Sequence, residues 1–171
     1  MKQRSIKLRT AEPQRSHGIG ELAVLVRFGT LVVAVAAQRV SRIVMADEVV
    51  DAPGRATRCI RIGATVLPAW DLGELLGLSE PPAAWLVMTT SDEPTAGSIA
   101  LGTGPCLAVA SHDELSALPA GVVSAPTAAL LGVFATDANL RDRGAGHLGV
   151  RVDPLCLIGA TALAVAQRGA Q

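Results

Sequence analysis

The sequence predicts a mainly β fold, and three observations support this prediction. Short apolar runs rich in β-branched residues recur along the chain, and Gly, Pro, Ser or Asp separates most of them. Helical signals are few and short. Short strands separated by turn residues are typical of barrels and sandwiches rather than of a parallel sheet wound by helices. Half of the residues are hydrophobic but only 2% are aromatic, so we expect an aliphatic core.

The folded part is predicted to begin near Glu21 with a tight hairpin. Two apolar runs, Leu22 to Phe28 and Leu31 to Ala37, are separated only by Gly29-Thr30. Two connecting residues that begin with Gly favour a hairpin turn. The next run, Val40 to Val44, alternates apolar and polar residues as a half-buried strand does. The segment MADEVVDAPGRA that follows has the composition of a loop.

Further strands are predicted wherever a short apolar run recurs between turn residues. They are Cys59 to Ile62, Thr65 to Ala69, Trp85 to Thr89, Ser98 to Leu101, Cys106 to Ala110, Gly132 to Ala135 and Leu148 to Val152.

The stretch TVLPAWDLGELLG combines a strand signal with a capped helical turn. Pro68 cannot donate a ladder hydrogen bond, so we expect its strand at a sheet edge or bulge. Asp71 is placed to accept hydrogen bonds from the first amides of the following turn. Glu74 stands at the capping-box position, and Gly77 suits the left-handed C-terminal position.

Two other helical signals occur. The later one overlaps the second copy of a short sequence pattern that occurs twice in the chain, which we call the internal echo. Ser111 and Glu114 form a second Ser-x-x-Glu box, and the Ala-rich segment from Leu155 to Gln167 suits a closing helix. VLPAWDLGELL and GVRVDPLCLIG both run from a strand through an Asp into a Leu-rich turn. This echo hints at two related barrels, with Asp71 and Asp153 at corresponding ends.

Composition and charge exclude several classes of function. Fifteen basic and fifteen acidic residues cancel, and aromatic residues are scarce, which argues against nucleic-acid binding. No apolar segment of membrane-spanning length and no signal peptide occurs, so we expect a cytoplasmic protein without membrane insertion. The N-terminal stretch is basic and is interpreted as a flexible tail, either solvated or weakly attracted to an acidic partner or a lipid surface.

The residues give little support to catalysis. Cys59, Cys106 and Cys156 are odd in number and widely spaced among apolar neighbours, so we expect them to be buried and reduced. His17, His112 and His147 are interpreted as surface residues. No zinc-ligand spacing or nucleophile elbow occurs, and Gly102-Thr103-Gly104 lacks the Lys of a phosphate loop and is interpreted as a hairpin turn. We therefore expect no enzyme activity, no metal and no cofactor.

The order of these features resembles the CheW-like domain, the adaptor that joins chemoreceptors to the histidine kinase CheA. The segments that resemble it are FGTLVVAVAAQRVSRIV, IRIGATVLPAWDLGELLG and GVRVDPLCLI. The resemblance spans about residues 24–158 and implies two SH3-like five-stranded barrels packed around a shared apolar core. With the basic N-terminal stretch, this gives three expected parts: a flexible basic tail over residues 1–20, a single CheW-like domain of two barrel subdomains over 21–158, and a C-terminal helix or tail over 159–171.

Among this chain's departures from the family pattern, two concern residues that could pair in relatives. Where the family usually has an acid this chain has Arg42, and where it has an Arg this chain has Gly63. Arg61 lies two residues before Gly63. It would substitute for the missing arginine only if its strand slipped in register, and such a slip would turn the side chains of the strand to the opposite face. A partner surface shaped for the usual pair should not dock here unchanged.

The resemblance implies that function lies in surfaces. Val40, Ile43 and Trp70 are apolar contact candidates, with Arg42 and Arg61 as rim charges beside Gly63; for each apolar residue a core position stays equally open. The implied partners are the regulatory domain of a CheA-type kinase and the tips of methyl-accepting chemoreceptors. One alternative is the same scaffold in a different signalling or motility assembly, and a remote alternative is a small thiol or histidine enzyme.

Overall fold

The computed structural model describes residues 22–52, 58–91, 96–111, 114–117 and 129–159. Within these ranges the chain is mainly β, with three short helices. The strands are β1 (Leu22–Phe28), β2 (Leu31–Ala36), β3 (Val40–Met45), β4 (Val49–Asp51), β5 (Cys59–Ile62), β6 (Thr65–Asp71), β7 (Ala84–Thr89), β8 (Ser98–Thr103), β9 (Cys106–Ser111), β10 (Ser116–Ala117), β11 (Leu130–Ala135) and β12 (Leu148–Val152). The helices are α1 (Leu72–Leu75), α2 (Ala138–Asp142) and α3 (Pro154–Ile158).

The strands form two sheets, which confirms the predicted mainly β, two-subdomain fold. The first sheet has the order β10-β11-β12-β2-β1-β9, and the second has the order β3-β7-β8-β6-β5-β4. Each sheet has six strands rather than the expected five. The segment predicted as a loop after Val44 contains β4, whose Val49 and Val50 pair with β5.

The two sheets have the same topology. Strands β3 to β8 of the second sheet correspond in order to β9 to β12 followed by β1 and β2 in the first. The parallel pair β6–β8 matches the parallel pair β12–β2. Asp71 ends β6 and Asp153 follows β12, so the internal echo in the sequence reflects a structural repeat. The N-terminal hairpin therefore completes the second repeat.

An apolar cluster, the shared core, joins the two sheets. The first sheet contributes Val24, Val26, Phe28, Val33, Val35 and Val152, the second contributes Leu86, Met88, Ile99 and Leu101, and Leu72 of α1 and Ile158 of α3 complete it. Two further clusters each belong to one sheet, one around Phe134 and the other around Trp85. Aliphatic residues dominate all three, as the composition predicts.

The capped turn after β6 forms as predicted. The Asp71 carboxylate accepts hydrogen bonds from the amides of Gly73 (2.8 Å) and Glu74 (3.4 Å). At the other end Gly77 has a φ of 74°, its amide donates to Glu74, and the Leu78 amide donates to Gly73. This pair of bonds is a Schellman motif, which satisfies the last helical carbonyls.

The prediction that Pro68 excludes a central position for its strand is wrong, because β6 lies between β5 and β8. Pro68 faces Cys59 in the last pair of the β5–β6 ladder. The next amide, that of Ala69, donates to the Arg58 carbonyl oxygen (2.9 Å). Pairing with β8 begins at Ala69. The proline is tolerated where the strand changes partner.

Two further predictions need correction. Cys59 is buried, but Cys106 and Cys156 are exposed, because they lie at the start of an end strand and on the outer side of α3. Gly102 and Thr103 belong to β8, and Gly104 connects the two sheets instead of closing a hairpin. The predicted C-terminal helix begins as α3; its part beyond residue 159, the N-terminal tail, His17 and His112 lie outside the described residues.

Candidate partner-binding surface

Strand β3 is an end strand of the second sheet and contains three of the predicted contact residues. Val40 pairs with Met88, Arg42 with Val87 and Ile43 with Leu86, so Ser41 forms a bulge. Facing residues of a ladder point to the same side, and Leu86 and Met88 both belong to the shared core. The bulge thus turns Val40 and Ile43 to the same face, which simple alternation would not do.

Val40 and Ile43 differ in exposure although they share a face. Val40 is half-buried and packs against the shared core. Ile43 is 42% exposed, and Met45, which continues the same face, is 57% exposed. No strand of the described ranges pairs with the outer edge of β3. An end strand with exposed apolar side chains is suited to contact another protein.

Strand β9, an end strand of the first sheet, repeats this arrangement. Val26 of β1 pairs with Cys106 and Leu25 with Ala108, so a bulge again falls on the second residue of the strand, Leu107. In this register Val109 corresponds to Ile43, and its partner Val24 belongs to the shared core. Val109 is 57% exposed. Each repeat therefore offers an apolar side chain at the same place, and we call these two strands the edge surfaces.

The predicted rim residues lie apart from one another. Arg42 is exposed on β3, whereas Arg61 is exposed on β5, and β7, β8 and β6 separate these strands in the sheet order. Arg61 faces Val50 of β4, which is 58% exposed. Gly63 lies in the turn after β5 with a φ of 59°. Because L side chains rarely adopt this conformation, Gly63→Arg would strain the turn, although the site has room.

Trp70 is half-buried and packs against the shared core. It faces Leu101 across the parallel β6–β8 pair. Of the six predicted contact residues, Val40, Ile43 and Trp70 thus share the core-facing side of the second sheet, and of these three only Ile43 is exposed. Sequence reasoning missed Met45 and Val109; for Met45 the available signal was its position two residues after Ile43, which places both side chains on one face of the strand.

The features considered for catalysis have structural roles among the described residues. Asp71 and Asp153 each cap their own helix; the Asp153 carboxylate accepts from the amides of Leu155 (2.9 Å) and Cys156 (3.4 Å). A hydrogen bond to Asp153 raises the pKa of the Cys156 thiol. Partial desolvation of the sulfur raises the pKa of the Cys106 thiol, although Cys106 as a residue is exposed. A raised pKa disfavours the nucleophilic thiolate. His147 is exposed, and the described residues include no cluster of potential metal ligands.

Comparison with known proteins finds similarity in structure but not in sequence. No protein-family model matches the chain, and no curated protein matches it significantly in sequence. Among solved structures, the chain is similar to the scaffolding protein TtCheW from Thermoanaerobacter tengcongensis, with a TM-score of 0.59. The match covers 88% of this chain and 96% of TtCheW at 13% sequence identity.

The chain has the CheW-like fold. Coverage of nearly all of TtCheW means that both repeats take part in the match, which agrees with the resemblance found in the sequence. At 13% identity the CheW-like fold is shared while most surface residues differ. Among the described residues of this CheW-like chain, no helix is long and apolar enough to cross a membrane.

Proposed function

We propose that this chain is a non-catalytic cytoplasmic adaptor in chemotaxis-type signal transduction, which couples a CheA-type histidine kinase to methyl-accepting chemoreceptors. The CheW-like fold supports a scaffolding role. The observation that carries the proposal is the pair of exposed apolar residues, Ile43 and Val109, at equivalent positions of the two edge surfaces. Raised thiol pKa values favour this role over a thiol enzyme.

The proposed kinase contact joins one barrel to another. The regulatory domain of a CheA-type kinase is itself similar to CheW in the family picture, so it offers comparable strands. An apolar side chain on an end strand adds buried area to the backbone contacts that such an edge can make. Ile43 is the residue of β3 that we expect to contribute most, with Met45 beside it.

The test is a direct binding measurement with the regulatory domain of the CheA-type kinase from the same organism. By calorimetry, Ile43→Asp should weaken binding at least about tenfold, as the loss of a central apolar contact does. Leu148→Asp is the matched control, because Leu148 is also apolar and 49% exposed but lies on the interior strand β12. Val40→Asp is unsuitable, since Val40 packs against the shared core.

Two results would contradict the kinase contact through β3. One is a native chain that does not bind the regulatory domain. The other is an equal loss of affinity in Ile43→Asp and Leu148→Asp, which would indicate a general effect of the introduced charge.

A second candidate function keeps the scaffold but assigns it to another signalling or motility assembly. It is favoured by the exposed cation Arg42 and by Gly63, which lacks a side chain, at positions where the family carries an acid and an arginine. Co-sedimentation with receptor-containing membranes, with and without the kinase, separates the two. No co-sedimentation with the receptor-containing membranes, whether or not the kinase is present, would favour the second candidate.

A further inference from the structure

A groove lies between β9 and α2, apart from the shared core. Its volume is about 420 Å³, within the range of about 300–1,000 Å³ that is usual for ligand pockets. Its floor consists of three buried leucines of the apolar cluster of the first sheet, Leu25, Leu115 and Leu140. Ala108 and Ala110 of β9 form one wall. The groove is therefore apolar inside, and packed residues determine its shape.

The rim of this groove is acidic. Glu114 and Asp137 line it and are exposed, and no basic residue lines it among the described residues. Each carboxylate accepts one backbone amide hydrogen bond, Glu114 Oε2 from Ser111 (3.0 Å) and Asp137 Oδ1 from Leu140 (2.8 Å). An amide is neutral, so these bonds orient the carboxylates without balancing their charge.

The two arginines that follow Asp137 in and after α2 are directed elsewhere. Arg141 donates from Nη1 to the Thr136 carbonyl oxygen (2.6 Å), and Arg143 donates to that of Leu107. Neither arginine lines the groove. The rim thus offers two carboxylates to a cation that the described lining residues do not supply.

The N-terminal stretch of the chain has the complementary pattern. Residues 5–10, SIKLRT, alternate the apolar Ile6 and Leu8 with the basic Lys7 and Arg9. In an extended chain the apolar pair faces one way and the basic pair the other. If the apolar pair entered the groove, the long basic side chains would stay at its opening, where the rim carboxylates are exposed.

This stretch also joins the fold beside the groove. Leu22, the first residue of β1, pairs with Ser111, whose amide donates to the rim acid Glu114. Residues 10–21 connect Arg9 to Leu22 and span up to about 40 Å when extended. A tether of this length gives an effective concentration on the order of millimolar, so a weak contact is enough to fill the groove.

We propose that the groove binds residues 5–10 of the same chain. The apolar pair lies on the leucine floor, and Lys7 lies beside Glu114 or Asp137. Residues 118–128, which follow β10, carry no charge, so they match the floor but not the rim. The inference concerns a contact within the chain, goes beyond the proposed adaptor function and does not rest on it.

Zero-length cross-linking of the full chain tests this contact. A carbodiimide joins a lysine amine to a carboxylate in direct contact, and Lys2 and Lys7 are the only lysines of the chain. Peptide mass spectrometry should find Lys7 joined to Glu114 or Asp137. Links to Asp142, which is exposed on α2 but does not line the groove, should be at least about tenfold rarer. An equal mixture of unlabelled and 15N-labelled chain separates links within one chain from links between two.

Two matched variants test the apolar part of the contact. Ile6→Ser should lower the yield of the groove links about tenfold, because it removes an apolar side chain from the floor without adding a charge. Ile19→Ser should leave the yield unchanged, because Ile19 belongs to the same stretch but lies outside residues 5–10.

Four results would overturn the proposal. They are the absence of a Lys7 link to the rim, links to Asp142 as frequent as those to Asp137, an equal yield in the two variants, and links of mixed isotopic composition. The last result would assign the groove to residues 5–10 of a second copy of the chain.

Discussion

At the scale of single residues, Gly104 is where a side chain is least tolerable. A Cβ atom built on Gly104 would overlap the carbonyl oxygen of Arg27, which belongs to the backbone and cannot move aside cheaply. Gly104→Ala should therefore lower the free energy of unfolding by roughly 3 kcal/mol, the upper part of the range for overpacking. Chemical denaturation followed by circular dichroism measures this loss.

Gly132→Ala is the control for Gly104→Ala. Nothing lies within 4 Å of a Cβ atom built on Gly132, and its φ is not positive. The change should alter stability by less than about 0.5 kcal/mol. A similar loss in both variants would mean that glycine flexibility, rather than the approach of Arg27, sets the cost.

The same residues indicate what the sequence could predict. The Asp71 cap and the Gly77 terminus were predictable because their partners lie within a few positions along the chain. The need for Gly at 104 was not, since its neighbour Arg27 is remote in sequence. Ile43 was predictable as an apolar contact candidate, whereas the exposure of Val109 depends on β9 being an end strand.

At the scale of elements, the two repeats each use an Asp to turn a strand into a short helix. Asp71 is buried, with 5% exposure, and accepts from two amides. Asp71→Ala leaves those donors without the carboxylate and should lower the free energy of unfolding by about 1–2 kcal/mol. Asp71→Asn keeps an accepting oxygen and should lower the free energy of unfolding by only a few tenths of a kcal/mol. Thermal unfolding of both variants measures the difference, and equal losses would show that the charge, not the cap, matters.

Strand pairing explains why neither β4 nor the interior position of β6, the strand that contains Pro68, was predicted. A three-residue strand such as Val49–Asp51 has too little periodicity to distinguish it from a loop, and it exists because β5 pairs with it. Pro68 is a poor ladder residue wherever it stands, but a strand that pairs with β5 before it and with β8 after it needs no amide there. Both outcomes depend on pairing between strands, which local sequence does not encode.

At the scale of the whole molecule, the shared core predicts that the two sheets unfold together. Both tryptophans, Trp70 and Trp85, lie in the second sheet, so fluorescence reports on that sheet alone, whereas circular dichroism reports on both. Val32 and Val33 of β2 are fully buried, but Val33 packs in the shared core and Val32 in the cluster confined to the first sheet. They form a matched pair for testing how far each sheet depends on the other.

Val32→Ala and Val33→Ala should each lower the free energy of unfolding by about 2 kcal/mol, the cost of removing buried methyl groups. Because the chain crosses between sheets and the shared core includes residues of both, either change should shift the fluorescence and dichroism transitions by the same amount. A Val32→Ala variant that shifts dichroism but leaves tryptophan fluorescence unmoved would mean that the repeats unfold separately. Coincident shifts would mean that a partner bound at one edge surface stabilises both sheets, because binding energy is shared by everything that unfolds together.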